Sequence, residues 1–339
     1  MPNKKYILDF AKEILSIPSP SGYCMKVIER VKEECLKYNL EFEKTPKGNG
    51  IITIKGQDDY VVGLSAHVDT LGAMVRSISS TTLKFTSIGS PIWATMDGEY
   101  CTVHTRDGKE YTGTIISTSP AAHVYKDSGT KDRKPETMEI RLDEIVKSKE
   151  DIQELGIEVG NFVSIDPKTT ITESGFIKSR FLDDKINVAS LFGLIEYLHR
   201  NKITPKHTIK IVISTYEEVG HGSAWIPQDI SEFIAVDMGC IGSDLSCTEY
   251  DVSICAKDSS GPYDYEMTSK LLEVARENKL QHAVDIYPYY GSDVSAALSG
   301  GNNIKGALIG PGVHASHGME RTHYQAVENT IKLLIEYLK

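Results

Sequence analysis

The chain has 339 residues, 40% of them hydrophobic, which is enough for one large or two modest domains around a real apolar core. Its formal net charge of -10 argues against a nucleic-acid partner, because phosphate binding needs a basic surface that releases counterions; it decides nothing about a small peptide or sugar ligand. No apolar run is long enough to span a bilayer, and the opening MPNKKYILDFAKEILSIPSP lacks the continuous apolar stretch of a secretion signal, so a cytoplasmic protein without a membrane partner is expected.

The first segment reads as an amphipathic helix over about 4–16, with Tyr6, Ile7, Phe10, Ile14 and Leu15 on one side. A Pro-Ser-Pro-Ser-Gly turn follows, then a helix over about 22–38 and strands near 40–45, 50–55 and 60–66. After Gly72 the texture changes to short strands rich in Ser and Thr. Among them, Tyr100 to Thr105 and Lys109 to Ile116 flank Arg106-Asp107-Gly108, where Asp-Gly signals a hairpin. A small all-β insert over about 73–172 fits that change, and within it KDSGTKDRKPE, 126–136, reads as a mobile loop.

From Phe181 the pattern alternates again. A helix over 185–199 is followed by strands at 207–214, 233–237 and 250–256, and then by a helix over 264–279. A strand at 282–287, a helix near 293–299, a strand at 304–309 and a final helix over 321–338 complete the chain. Alternation of this kind predicts an α/β fold with a mostly parallel sheet flanked by helices, and a discontinuous main domain of 1–72 plus 173–339. The six cysteines, Cys24, Cys35, Cys101, Cys240, Cys247 and Cys255, form no CxxC pair, and buried reduced thiols are expected. Any metal would then rely on histidine and carboxylate ligands.

Such ligands stand beside apolar stretches, where an open α/β sheet collects its functional groups. Tyr60 to Leu64 leads into His67-Val68-Asp69, where residues one apart leave the same face of an extended segment, so one can ligate while the other orients it. Asp183-Asp184 precedes the helix at Lys185; capping explains one aspartate better than two, so Asp183 is assigned as a bridge between two cations and Asp184 as its support. Glu217-Glu218 follows the strand IKIVIST, and two glutamates at such a strand end are costly without a compensating cation. Metal at one and general-base duty at the other is the economical reading. Asp237 ends FIAVD, and GPGVHASHGMERTH supplies three histidines, of which His317 is the ligand choice and His314 the runner-up. Oxygen and imidazole donors without thiolate suit zinc first, with cobalt and manganese open, and Asp293 is a candidate anchor for a substrate amine.

These motifs resemble a known family, the glutamyl and deblocking (tetrahedral) aminopeptidases among the di-zinc metallopeptidases. The likeness rests on Pro18-Ser19-Pro20-Ser21-Gly22, SAHVDTLG around His67, RFLDDK around Asp183, STYEEVGHGSA around Glu217, AVDMG at Asp237, GSDV at 291–294 and the late histidine loop before ENTIKLL. The resemblance implies a zinc-exopeptidase-like fold with an inserted small β-barrel or PDZ-like domain used in dimerisation. It implies two divalent metals, one held by His67, Asp183 and Asp237 and the other by Asp183, Glu218 and His317. It also implies removal of N-terminal residues from peptides by a metal-bridging water that Glu217 activates, Asp69 assisting, within a homo-oligomer such as a dodecameric tetrahedral particle built from dimers. Where family members carry an apolar or basic residue, this chain has His221. Two rival readings are a glycoside hydrolase using Glu217 and Asp237 without metal, and a non-catalytic, metal-stabilised assembly protein.

Overall fold

Seven consecutive buried residues, Val61–His67, form a strand covered on both faces, the pattern of a parallel sheet between helical layers. The computed structural model describes residues 1–339. Around that strand, Thr208–Ser214 pairs parallel on one side and Glu232–Val236 on the other, and Lys305–Val313 continues parallel beyond the latter. Antiparallel Gly50–Ile54 and Glu41–Lys44 finish one edge. At the other edge Val252–Lys257 runs antiparallel to Lys305–Val313, with His282–Ile286 parallel to it.

The helix Leu182–Arg200 is the axis of one helical layer, since nearly all of its residues are buried. It packs against Lys4–Leu15 and Tyr324–Tyr337 as well as the central strand. Gly193 allows the close approach: a Cβ there would sit 2.8 Å from Ile7 and 3.0 Å from Ile331. Lys4–Leu15 starts where Asn3 accepts the Tyr6 amide at 3.2 Å. On the opposite face a second cluster, including Ile230, Phe233, Val294 and Ala297, seats the short helix Asp293–Ser299. The architecture is therefore α/β with a mostly parallel sheet between helical layers.

Between Gly72 and Ile165 the chain closes a separate antiparallel barrel. Its strands run around in the order Gly72–Ile78, Thr82–Ile88, Met138–Leu142, Glu110–Ser117, Tyr100–His104 and Phe162–Ile165, which returns to the first. Val75, Leu83, Phe85, Val103, Ile115, Ile140 and Val163 are all buried. The segment 126–136 is not the free loop its composition suggests. Arg133 Nε donates to Asp97 at 2.7 Å and its Nη2 to the Ser128 carbonyl at 2.8 Å, while Lys131 Nζ donates to Ser119 at 2.6 Å.

The last helix also differs from expectation. Residues 320–323 form a strand that pairs with Phe176–Ser179, and the helix begins only at Tyr324. His323 is extended and its ring accepts the Gln325 amide at 3.1 Å, so it caps the helix from outside. All six cysteines are free, five of them buried. No helix is long and apolar enough to cross a membrane.

Candidate metal centre and active site

After the central strand ends at His67, the next two sheet strands of the chain lie on opposite sides of it, Thr208–Ser214 and then Glu232–Val236. Loops leaving the carboxyl ends diverge at such a switch point and leave a crevice. His67, Glu217, Glu218 and Asp237 arrive there directly from strand ends. Asp237 is tied in by main chain: its N–H donates to the Ile309 carbonyl at 2.9 Å, and a Cβ on Gly310 would lie 1.8 Å from the Asp237 carbonyl oxygen. Only glycine permits that approach.

Asp183 and Asp184 reach the crevice from the other direction. Phe181 adopts a left-handed backbone, the Asp183–Asp184 peptide is cis, and both aspartates are non-helical, so regular helix runs from Lys185 as predicted. Asp183 turns one carboxylate oxygen to each histidine: Oδ1 is 3.1 Å from His67 Nε2 and Oδ2 is 3.7 Å from His317 Nε2. The same His317 nitrogen is 3.6 Å from Glu218 Oε2, and Glu217 Oε2 is 3.7 Å from His67 Nε2. Asp184 stays beside the cluster with its carboxylate already engaged, accepting the His67 amide at 3.1 Å and the Asn187 side chain at 2.6 Å. Ligand atoms of His67, Asp183 and Glu218 lie within 4.8 Å of one another, as do those of His67, Asp184 and Asp237.

Asp69 is expected to orient His67, and the structure shows that it does so through its main chain. His67 Nδ1 lies 2.9 Å from the Asp69 carbonyl oxygen and 3.6 Å from its carboxylate. The carboxylate is occupied elsewhere, accepting the Glu217 amide at 3.1 Å, the Glu218 amide at 3.2 Å and the Ser21 hydroxyl at 2.5 Å. Asp69 thus pins the turn that carries both glutamates, and Ser21 of the Pro-Ser-Pro-Ser-Gly turn pins Asp69.

His314 is exposed and joins Arg321 only through main-chain bonds, whereas His317, in a left-handed backbone, has its ring directed into the cluster with Nδ1 3.0 Å from the Ser90 carbonyl oxygen. Asp293 lies behind the crevice wall, accepting the Ser214 hydroxyl at 2.7 Å, and it does not line the cavity. His221 stacks on Tyr216 outside that lining. One residue escaped the sequence reading. Glu320 is buried, and its two oxygens accept the amides of Asp183 at 3.0 Å and His317 at 3.1 Å. Its spacing of three from His317 was visible, but the turn that aims it inward was not.

Electrostatics state what is missing from this cluster. Burial, aided by neighbouring carboxylates, holds Asp184, Glu217 and Glu218 well above the usual carboxylate range and lifts Asp237 to about 7. For Asp183 burial is again the largest single influence and acts the same way, but the His67 hydrogen bond together with the charges of the His67 and His317 imidazoles outweighs it and the net shift is downward. Burial opposes protonation of His67, yet Asp183 and the surrounding carboxylates push its pKa well up. Five carboxylates thus face two imidazoles. The neighbouring Lys185 gives no relief, because its ammonium donates to the Ile17 carbonyl at 2.7 Å.

Glu218 Oε1 is buried without a partner, a costly state unless a cation completes it. Cys240 also borders the space, but burial pushes its thiol up to about 12, so it offers no thiolate. An oxygen and imidazole donor set with excess anionic charge fits divalent cations. The adjoining cavity, about 590 Å³, is lined by Asp183, Glu217, Glu218, Asp237 and His317 on one side and by a wall from 289–299 on the other.

Comparison with known proteins follows the same line. The family described as M42 glutamyl aminopeptidase matches residues 48–333. The protein YhfE of Bacillus subtilis (strain 168), named as a candidate aminopeptidase, is 46% identical over 342 aligned residues, covering 100% of this chain and 99% of its own. Among solved structures, a TET aminopeptidase from the marine sediment archaeon Thaumarchaeota archaeon SCGC AB-539-E09 superposes with a TM-score of 0.89 at 20% identity, over 98% of this chain and 96% of that one. The Pyrococcus horikoshii TET1 peptidase, described as assembling into a tetrahedron or a large octahedral shell, gives a TM-score of 0.85 at 22% identity over 98% and 99%. At such identities these two structures speak for the fold.

Glu320→Ala removes the acceptor shared by Asp183 and His317. Divalent-metal affinity, measured by isothermal titration, is expected to fall roughly 10- to 100-fold while the far-ultraviolet spectrum is retained; unchanged affinity would refute the role given to Glu320.

Proposed function

The chain belongs to the M42 glutamyl aminopeptidase family and is a metal-dependent aminopeptidase, and on that premise we propose which residues perform the hydrolysis. His67, Asp183 and Asp237 would hold one divalent ion, and Asp183, Glu218 and His317 would hold a second. The observation that carries this reading is the pair of Asp183 oxygens, one facing each imidazole. Zinc is the metal of choice for such donors, with cobalt or manganese chemically acceptable. Two ions at this place would supply the Lewis acidity that lowers the pKa of a water and polarises a scissile carbonyl.

Glu217 is the general base. Its side chain is 15% exposed against 4% for Glu218, so of the two glutamates lining the cavity it is the more open. It takes a proton from the attacking water and delivers it to the nitrogen of the departing peptide amine. Asp69 is a positioning residue, holding the backbone of both glutamates with its carboxylate. Its carbonyl accepts the Nδ1 proton of His67, which leaves Nε2 as the ligating atom. Peptides are the substrates, cleaved at the N-terminal residue. The glycosidase pairing of Glu217 with Asp237 and the non-catalytic scaffold are not favoured in a chain of this family.

The reading extends to assembly. The barrel exposes the apolar side chains Ile145, Val124 and Val159 at 91, 71 and 62%, more than a solvated surface needs, and Ile145 is the most exposed of them. The chain forms dimers through this insert and, from dimers, a tetrahedral dodecamer like the form described for the Pyrococcus horikoshii protein.

Glu217→Gln is expected to retain metal and lower kcat by about 10² to 10⁴ on an aminoacyl-p-nitroanilide; near-normal turnover would sink its assignment as base. Exhaustive chelation should abolish wild-type turnover and added zinc, cobalt or manganese restore it. Metal analysis should find one ion lost in His317→Ala and none in His314→Ala, and the reverse outcome would exchange their roles. In sedimentation velocity the wild type should run far above its 37.5 kDa chain mass and Ile145→Asp should shift it toward smaller species; a monomeric wild type at micromolar concentration would overturn the assembly reading.

A further inference from the structure

The cavity has two chemically different halves. One carries the metal-binding groups. The other, which a substrate's terminal side chain must meet, is built from Tyr290, Met238 and Ala296 together with the hydroxyls of Ser260, Ser295 and Ser299. No lysine or arginine is among the lining residues, and its carboxylates all belong to the metal-binding half. The nearest cation along the chain to this wall, Lys257, donates its ammonium to the Asp258 carbonyl at 2.8 Å and lies outside the lining.

Behind the serines sits Asp258, fully buried. Its Oδ1 accepts the Ser260 amide at 2.8 Å and the Ser260 hydroxyl at 2.5 Å, and its Oδ2 accepts the Tyr263 hydroxyl at 2.7 Å and the Ser295 hydroxyl at 3.2 Å. With the Ser260 amide and hydroxyl and the Tyr263 hydroxyl donating to it, and the Ser295 proton shared between it and the Ser292 carbonyl at 2.9 Å, this buried carboxylate is not open to an incoming ammonium. These bonds turn the Ser260 and Ser295 protons away from the cavity, so Ser260 presents lone pairs to whatever enters, while Ser295 Oγ already accepts the Ser292 amide at 2.6 Å. An acidic terminal side chain would meet only neutral hydroxyls and no cation on this wall, and a lysyl side chain would find hydroxyls but no open carboxylate. Neither charge would be compensated after leaving water.

Resting on the aminopeptidase reading above, we propose that this cavity selects an uncharged N-terminal residue and rejects glutamyl and aspartyl termini, despite the name of the family. The selecting elements are the serines backed by Asp258 and the apolar faces of Met238 and Tyr290. Volume does not select, because about 590 Å³ admits any side chain.

The test is a panel of aminoacyl-p-nitroanilides with the metal-loaded full-length enzyme. Leucyl, methionyl, alanyl and seryl reporters should include the best substrate, and its kcat/KM should exceed that of the glutamyl and lysyl reporters by more than about tenfold. Ser299→Arg places a cation at the wall and should raise the glutamyl-to-leucyl ratio of kcat/KM by about tenfold. A wild-type preference for glutamyl or lysyl reporters would overturn this inference while leaving the aminopeptidase reading intact, and an unchanged ratio in Ser299→Arg would remove this wall as the selecting surface. Silence on every reporter would overturn both.

Discussion

Everything in this molecule is arranged around the burial of more negative charge than the chain itself can balance. Asp183, Asp184, Glu217, Glu218 and Asp237 converge where the central parallel strands end, and the protein places two imidazoles among them but no ammonium or guanidinium. A buried carboxylate without compensation costs several kcal/mol, so such a crevice is built for something supplied from outside. The surrounding fold holds that unfavourable arrangement together. The carboxylates of Asp69 and Glu320 fasten the main-chain amides of Glu217, Glu218, Asp183 and His317 around it, and a parallel sheet buried on both faces prevents its strand ends from splaying.

The division of labour among adjacent acidic residues follows from where their oxygens are already committed. Asp184 spends its carboxylate on His67 N–H and Asn187, Asp69 on the two glutamate amides and Ser21, and Glu320 on Asp183 and His317. Asp183 and Glu218 retain oxygens directed at the imidazoles, and Glu218 keeps one buried oxygen unpartnered. The aspartate pair that looks redundant in sequence therefore consists of one free member, Asp183, and one anchored member, Asp184.

Much of this was legible from the chain alone. Apolar runs ending in His67, Glu217 and Asp237 gave both the strands and their chemistry, because a parallel strand is apolar along its length and functional only at its tip. Other features depend on contacts that periodicity does not encode. Glu320 stood just outside the helix expected over 321–338, yet pairing with Phe176–Ser179 takes residues 320–323 into a sheet and turns that glutamate inward. The polar stretch 126–136 has a loop's composition, but Arg133 and Lys131 stitch it to the barrel. His317 and His314 differ by a backbone twist at Ala315 and His317, both left-handed, which no count of residues reveals.

The histidine loop is held from both parts of the molecule. His317 leans its Nδ1 on the Ser90 carbonyl, Ile92 N–H donates to the His317 carbonyl at 3.1 Å, and the strand Glu320–His323 pairs with the segment by which the chain leaves the barrel. Ser90 and Ile92 also wall the cavity. The insert is thus no detachable module, although it closes as a barrel of its own. Recombination that exchanged or excised it would unseat a residue more than two hundred positions away, so the two parts of the chain are bound to be inherited together.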